Sequence, residues 1–181
     1  MSVAADLTPL NYALLGLLNR RPQTGYELMQ VFETTPLGGY SASPGAIYPA
    51  LKKLRGAELV EPAGEGGSGR GEALAVTARG RILLKHWLRG PVAVVAGGAP
   101  DISTQMLKFT FVGDLLSARQ QFQFLANFDD ALSEAATALR AARERLSGEL
   151  RRNDLLAIDA GLMNYDAALA WVSHAGRLLS E

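Results

Sequence analysis

The chain has 181 residues, no cysteine, and 18 basic side chains against 18 acidic ones. Its 48% hydrophobic content is enough for one large or two small packed domains, and the lack of cysteine excludes disulfides and thiolate chemistry. The N-terminus lacks a basic-then-apolar leader pattern and no apolar run reaches the length of a membrane span, so the cytoplasm is the expected compartment and no membrane partner is expected. The charge is unevenly spread: residues 1–90 hold ten Lys and Arg against seven acids, residues 91–181 eight against eleven. A mildly basic half beside a mildly acidic one fits nucleic-acid binding by the first half alone.

Taken in order, Thr8-Pro9 opens a first helix whose buried face is Leu10, Leu14, Leu17 and Leu18, and Pro22 closes it. A second helix starts at the capping box Thr24-Gly25-Tyr26-Glu27, continues through Leu28, Val31 and Phe32, and ends at Thr35-Pro36. The third begins at Ser43-Pro44, with the Ser43 hydroxyl expected as N-cap and proline at the first helical position. Its apolar positions Ile47, Leu51 and Leu54 define one buried face. The other side, with Gly45, Tyr48, Pro49, Lys52 and Gly56, carries an aromatic hydroxyl, a cation and small residues but no acid. Such a helix suits a DNA major groove; the plain alternative is an amphipathic helix with a solvated Lys-Lys pair.

Leu59-Val60-Glu61-Pro62 and Glu72-Ala73-Leu74-Ala75-Val76 read as two short strands around a glycine-rich tip, and Thr77 caps a fourth helix through Leu88. Gly64 to Gly69 matches the dinucleotide fingerprint G-x-G-x-x-G, but a strand follows it where that site requires a helix, so the match is accidental. Three helices, a hairpin and a helix are the order of a winged helix, in which the third helix enters the major groove and the wing touches the flanking backbone. Arg70, on the tip, fits a wing contact with phosphate or a narrow minor groove.

Tyr12-Ala13-Leu14-Leu15-Gly16-Leu17-Leu18, Thr24-Gly25-Tyr26-Glu27-Leu28, the run Ser43 to Leu54, and Leu74-Ala75-Val76-Thr77-Ala78-Arg79-Gly80 together resemble the PadR family of bacterial transcriptional regulators. The run Ser43 to Leu54 is the specific part, and the resemblance covers residues 8–90 closely. It implies a winged-helix DNA-binding domain, a helical C-terminal dimerisation region and repression relieved by a small molecule. One departure stands out. Where such proteins often carry an arginine-rich, tyrosine-containing run before Leu-x-x-Thr, this chain has Gly71-Glu72-Ala73, and the acid Glu72 is expected to weaken the wing's grip on DNA.

In the second half, Gly90-Pro91 ends the fourth helix and residues 92–100 form a small apolar linker. A short helix runs from Asp101 or Ser103 to about Phe111, broken by Gly113-Asp114. From Leu115 to about Leu150, apolar residues including Phe122, Leu125, Leu132, Ala135, Leu139 and Leu146 recur in steps of three and four, a coiled-coil-like seam that needs a partner helix. Leu155, Ile158, Leu162, Tyr165, Leu169, Val172 and Leu179 make a second seam. Two long helices joined by a short turn make an antiparallel hairpin.

The fold class is therefore mainly α with a small β-hairpin: a winged helix-turn-helix domain over 1–90 and an α-helical dimerisation hairpin over 91–181. The expected function is a homodimeric DNA-binding repressor, with no cofactor and no metal. The sequence holds no nucleophile–base set, and His86 and His174 are isolated. The candidate DNA contacts are Thr24, Tyr26, Ser43, Gly45, Ala46, Tyr48, Lys52, Lys53 and Arg70. Trp87, Met106 and Phe109, near a linker with Pro91, Gly97, Gly98 and Pro100, are candidates for a hydrophobic or aromatic effector; their plain reading is packed core. The competing function is a winged-helix protein–protein scaffold without DNA binding.

Overall fold

The computed structural model of the chain describes residues 7–35, 37, 39, 43–64 and 71–180. Within these, seven helices and one two-stranded sheet form two compact units. The first takes in residues up to Arg89 together with Leu107–Leu115, and the second Gly90–Met106 with Leu116 onward.

The first unit is built around α1 (Pro9–Arg20), whose residues Ala13, Leu14, Leu15 and Leu18 are buried. Thr8 and Asn11 close a capping box at its start. α2 (Gly25–Thr34) starts on the expected Thr24–Glu27 box: the Thr24 hydroxyl accepts from the Glu27 N–H, and the Glu27 carboxylate accepts from the Thr24 N–H at 2.7 Å. The bond from the Thr24 N–H first, then the Thr24 hydroxyl donating to the same carboxylate, hold the Glu27 carboxyl below its usual pKa. α3 (Pro44–Gly56) buries Ile47, Ala50, Leu51 and Leu54, and α1 and α2 pack against it. Full burial of side chains such as Ile47 and Leu54 stabilises by about 1.5–3 kcal/mol each.

β1 (Val60–Pro62) and β2 (Leu74–Val76) pair antiparallel in the register Val60 to Val76 and Pro62 to Leu74, shorter than the alternation suggested. One further bond, Ala63 N–H to Ala73 O at 2.9 Å, extends the ladder toward the tip. Leu74 also exchanges both backbone bonds with Gln23, at 2.8 and 3.0 Å, so the hairpin is anchored to the connection between α1 and α2. α4 (Ala78–Arg89) is capped by Thr77, whose hydroxyl accepts from Gly80 N–H and donates to Glu58 O.

α5 (Ile102–Leu115) begins at Asp101, which accepts from Thr104 N–H at 2.9 Å. It does not break at Gly113-Asp114 as expected. Asp114 instead pairs with Arg20 at 2.8 Å, and Phe111 is fully buried beside Gly16, where a Cβ would stand 2.5 Å from the ring. Tertiary contacts on both sides of the glycine outweigh its poor helix propensity.

In the second unit, residues 92–100 are more ordered than a bare linker. Val94 and Pro100 bridge across a turn in which Gly97 and Gly98 take positive φ, closed by Val95 N–H to Ala99 O and Asp101 N–H to Ala93 O. α6 (Ala118–Leu146) and α7 (Arg152–Leu178) form the expected hairpin, pinned by Arg143–Asp159 and Arg140–Asp166 pairs. Leu125, Phe128 and Leu132 of the expected α6 seam are buried, joined by Phe124 and Ala136, whereas Phe122 is exposed. α7 is long and apolar enough to cross a membrane by length and composition, with a mean hydropathy of 1.2 over its best window; the expectation of no such segment overlooked it because Asp159 and Asp166 interrupt the run.

Candidate nucleic-acid interface

α3 turns about 100° per residue, which brings Gly45, Pro49, Lys52 and Gly56 into an arc of roughly 60°. All four are exposed. Pro49 has no N–H, so the Gly45 carbonyl receives no helical bond from it. Lys53 and Arg55 flank this arc on opposite sides, both exposed. The helix contains no acid, and Lys53 and Arg55 in its last turn also complement the helix dipole.

The sequence candidates distribute as follows. Lys52 and Gly45 lie at the centre of the outer face, Ala46 at its margin and half-buried. Tyr48 is half-buried, because its ring lies against Gly25 at the start of α2. Ser43 occupies the N-cap position, but its hydroxyl makes no cap bond; its carbonyl accepts from Ala46 and Ile47 N–H instead. The expected hydroxyl cap is thus corrected, and the side chain is exposed. Thr24 is committed to its capping box, its hydroxyl also donating to Glu27 Oε2. Tyr26 is 56% exposed, with Gln30 donating weakly to its hydroxyl at 3.4 Å. Arg70 lies outside the described residues.

Tyr48, Lys52, Arg55, Glu72, Gly25, Leu51 and Leu74 line an open groove of about 200 Å³ between α2, α3 and β2. Sequence reasoning missed Arg55. Glu72, the acid expected to weaken the wing's grip on DNA, accepts from Arg55 Nη1 at 2.5 Å and is only 12% exposed. The one available signal was the i, i+3 spacing of Lys52 and Arg55, since the Glu72 partnership spans 17 residues.

The effector candidates fare differently. Trp87 stacks on Tyr12, ring centroids 4.3 Å apart and planes within 3°, and the Lys108 ammonium lies 5.5 Å from the Trp87 ring centre. Burial holds Lys108 below, and Tyr12 above, its ordinary pKa. Phe109 is half-buried in the same unit; Met106, also half-buried, belongs to the second. Within the second unit, a groove of about 550 Å³ is lined by Val92, Val94, Pro100, Leu139 and Tyr165, with Glu134 as its acid. None of the three candidates lines it.

Residues 14–86 match the model of the transcriptional regulator PadR-like family. Among curated proteins, the transcriptional regulator YqjI of Escherichia coli is 35% identical over 77 residues, covering 42% of this chain and 36% of that protein. The match thus spans about a third of the relative's length. Among solved structures, Bacillus subtilis PadR in complex with p-coumaric acid is 21% identical with a TM-score of 0.44, over 96% of this chain and all of that one. The complex of Bacillus subtilis PadR with operator DNA is 21% identical, with a TM-score of 0.40 over 94% and 98% of the two chains. The matching family is one of transcriptional regulators, which are not enzymes. Over residues 14–86, therefore, this chain is similar to the transcriptional regulator PadR-like family.

Proposed function

We propose that the first unit binds double-stranded DNA through α3 and the hairpin, and that the protein is a cytoplasmic homodimeric repressor relieved by a small apolar or aromatic molecule. The carrying observation is the acid-free outer face of α3, with Lys52 at its centre and Lys53 and Arg55 on its flanks. In this reading Lys52 and Gly45 approach base edges or phosphates, while Ser43, Ala46, Thr24, Tyr26, Tyr48 and Lys53 set the helix on the backbone. The match of residues 14–86 to a family of transcriptional regulators supports it. The dimer reading draws on α7, where Leu156 and Met163 are exposed. The effector reading has two seats to separate, the Tyr12–Trp87 stack and the groove beside Tyr165.

A salt titration of duplex binding tests the proposal. A DNA-binding dimer loses affinity steeply and linearly in log–log form as salt rises. A protein–protein scaffold binds no duplex at low salt, and that result would reject the DNA reading. For the effector, tryptophan fluorescence of wild type and Trp87→Phe is followed during titration with phenolic compounds, alongside duplex affinity. If no compound changes duplex affinity, effector relief is wrong.

A further inference from the structure

We propose that Glu72 is a positioning residue for DNA binding: it holds Arg55 as a phosphate-contacting arm and ties the root of the wing to α3. The inference rests on the DNA reading and deepens it.

Three observations carry it. First, Glu72 sits one residue beyond the last ladder bond, Ala63 to Ala73, where the hairpin leaves its paired strands. The three-residue ladder is short, and two-stranded hairpins are marginal by themselves. A bond from this point to α3 fixes the strand end relative to the recognition face. Second, the pair is asymmetric. Glu72 is nearly covered, whereas the Arg55 side chain is 53% exposed. The carboxylate is therefore not presented to an incoming polyanion, and its charge is matched by Arg55. Third, the described bond uses Nη1 alone. A guanidinium carries five N–H donors in a rigid plane, so a carboxylate on one nitrogen orients the others without consuming them. Arg55 also lines the same groove as Lys52. An arginine tethered in this way enters a phosphate contact with less side-chain freedom to lose than an untethered one.

The opposite assignment makes an opposite prediction. If Glu72 merely placed an acid near DNA, its removal would strengthen binding. The experiment compares wild type, Glu72→Ala, Glu72→Gln, Arg55→Ala and the Arg55→Ala/Glu72→Ala double variant in salt titrations of duplex binding, with circular dichroism melting as the control for folding. Arg55→Ala is expected to reduce the log–log salt slope by about 0.9, the value for one phosphate contact. Glu72→Ala is expected to weaken binding and flatten the slope although it removes a negative charge, and the double variant to bind no worse than Arg55→Ala alone. Glu72→Gln keeps an acceptor for the guanidinium and is expected to retain the wild-type slope; it carries the test should Glu72→Ala fail to fold. Tighter binding by Glu72→Ala, a flattened slope in folded Glu72→Gln, or an unchanged slope in Arg55→Ala overturns the proposal while leaving DNA binding intact. A wild-type chain that binds no duplex at any salt overturns both.

Discussion

Gly25 provides the seat for Tyr48: a Cβ on Gly25 would stand 2.7 Å from the ring carbon Cε1 of Tyr48. The contact joins the first residue of α2 to α3, and Gly25 is buried. Gly25→Ala should therefore push the ring outward or shift α3, costing about 1–3 kcal/mol as overpacking does. Urea melts measure this. Combining it with Tyr48→Ala should cost less than the two single effects together, since removing the ring removes the clash. Strict additivity would show that Gly25 matters for another reason.

Lys52 occupies the centre of the exposed arc of α3. If it contacts phosphate, Lys52→Ala should weaken specific and random duplexes alike and lower the salt slope by about one. If it reads guanine, discrimination should fall by about 1–3 kcal/mol with the slope nearly kept. Fluorescence anisotropy with one specific and one scrambled duplex distinguishes these, and no change in either would remove Lys52 from the interface.

The exposed residues of α7, with Met163 72% accessible, should find cover in a second copy. Light scattering at micromolar concentration is expected to report twice 19.3 kDa. Met163→Glu together with Leu156→Glu should shift the population toward monomer. A monomeric wild type rejects the dimer outright.

Arg143 donates to both oxygens of Asp159, at 2.5 and 3.0 Å, and that hydrogen bond first, then its charge, holds the Asp159 carboxyl below its ordinary pKa. Because the folded pKa is depressed, the stabilisation is present above the unfolded value of about 4 and is lost as pH falls through the folded one. Asp159→Asn should lower the urea midpoint at neutral pH, by a small amount given the solvent exposure of the pair. The wild-type and variant midpoints should then converge once the pH falls below the folded pKa of Asp159. A difference that persists there would point to side-chain packing and not to the ion pair.

The helices of the first unit were legible because their signals are local. Thr8 with Asn11 and Thr24 with Glu27 are caps acting across three residues, and Ile47, Leu51 and Leu54 recur at the helical period. The α6–α7 hairpin announced itself in the same way, through apolar steps of three and four. Local hydrogen bonding and side-chain periodicity depend on neighbours in the chain, so sequence determines them directly. What depended on distant partners was not legible. α5 continues through Gly113 because Asp114 meets Arg20, 94 positions earlier, and Phe111 fills the space Gly16 leaves. Ser43 gave every sign of a hydroxyl cap, yet the structure leaves that hydroxyl without a cap bond. Tyr48 shared a face with Lys52 in sequence, but Gly25 draws its ring into partial burial. Glu72 illustrates the division most directly. Its sequence position marked it as an acid in the wing, and only folding brings Arg55 within 2.5 Å and covers the carboxylate. A charge's effect is set by what lies within a few ångströms of it, and that is decided by the tertiary structure.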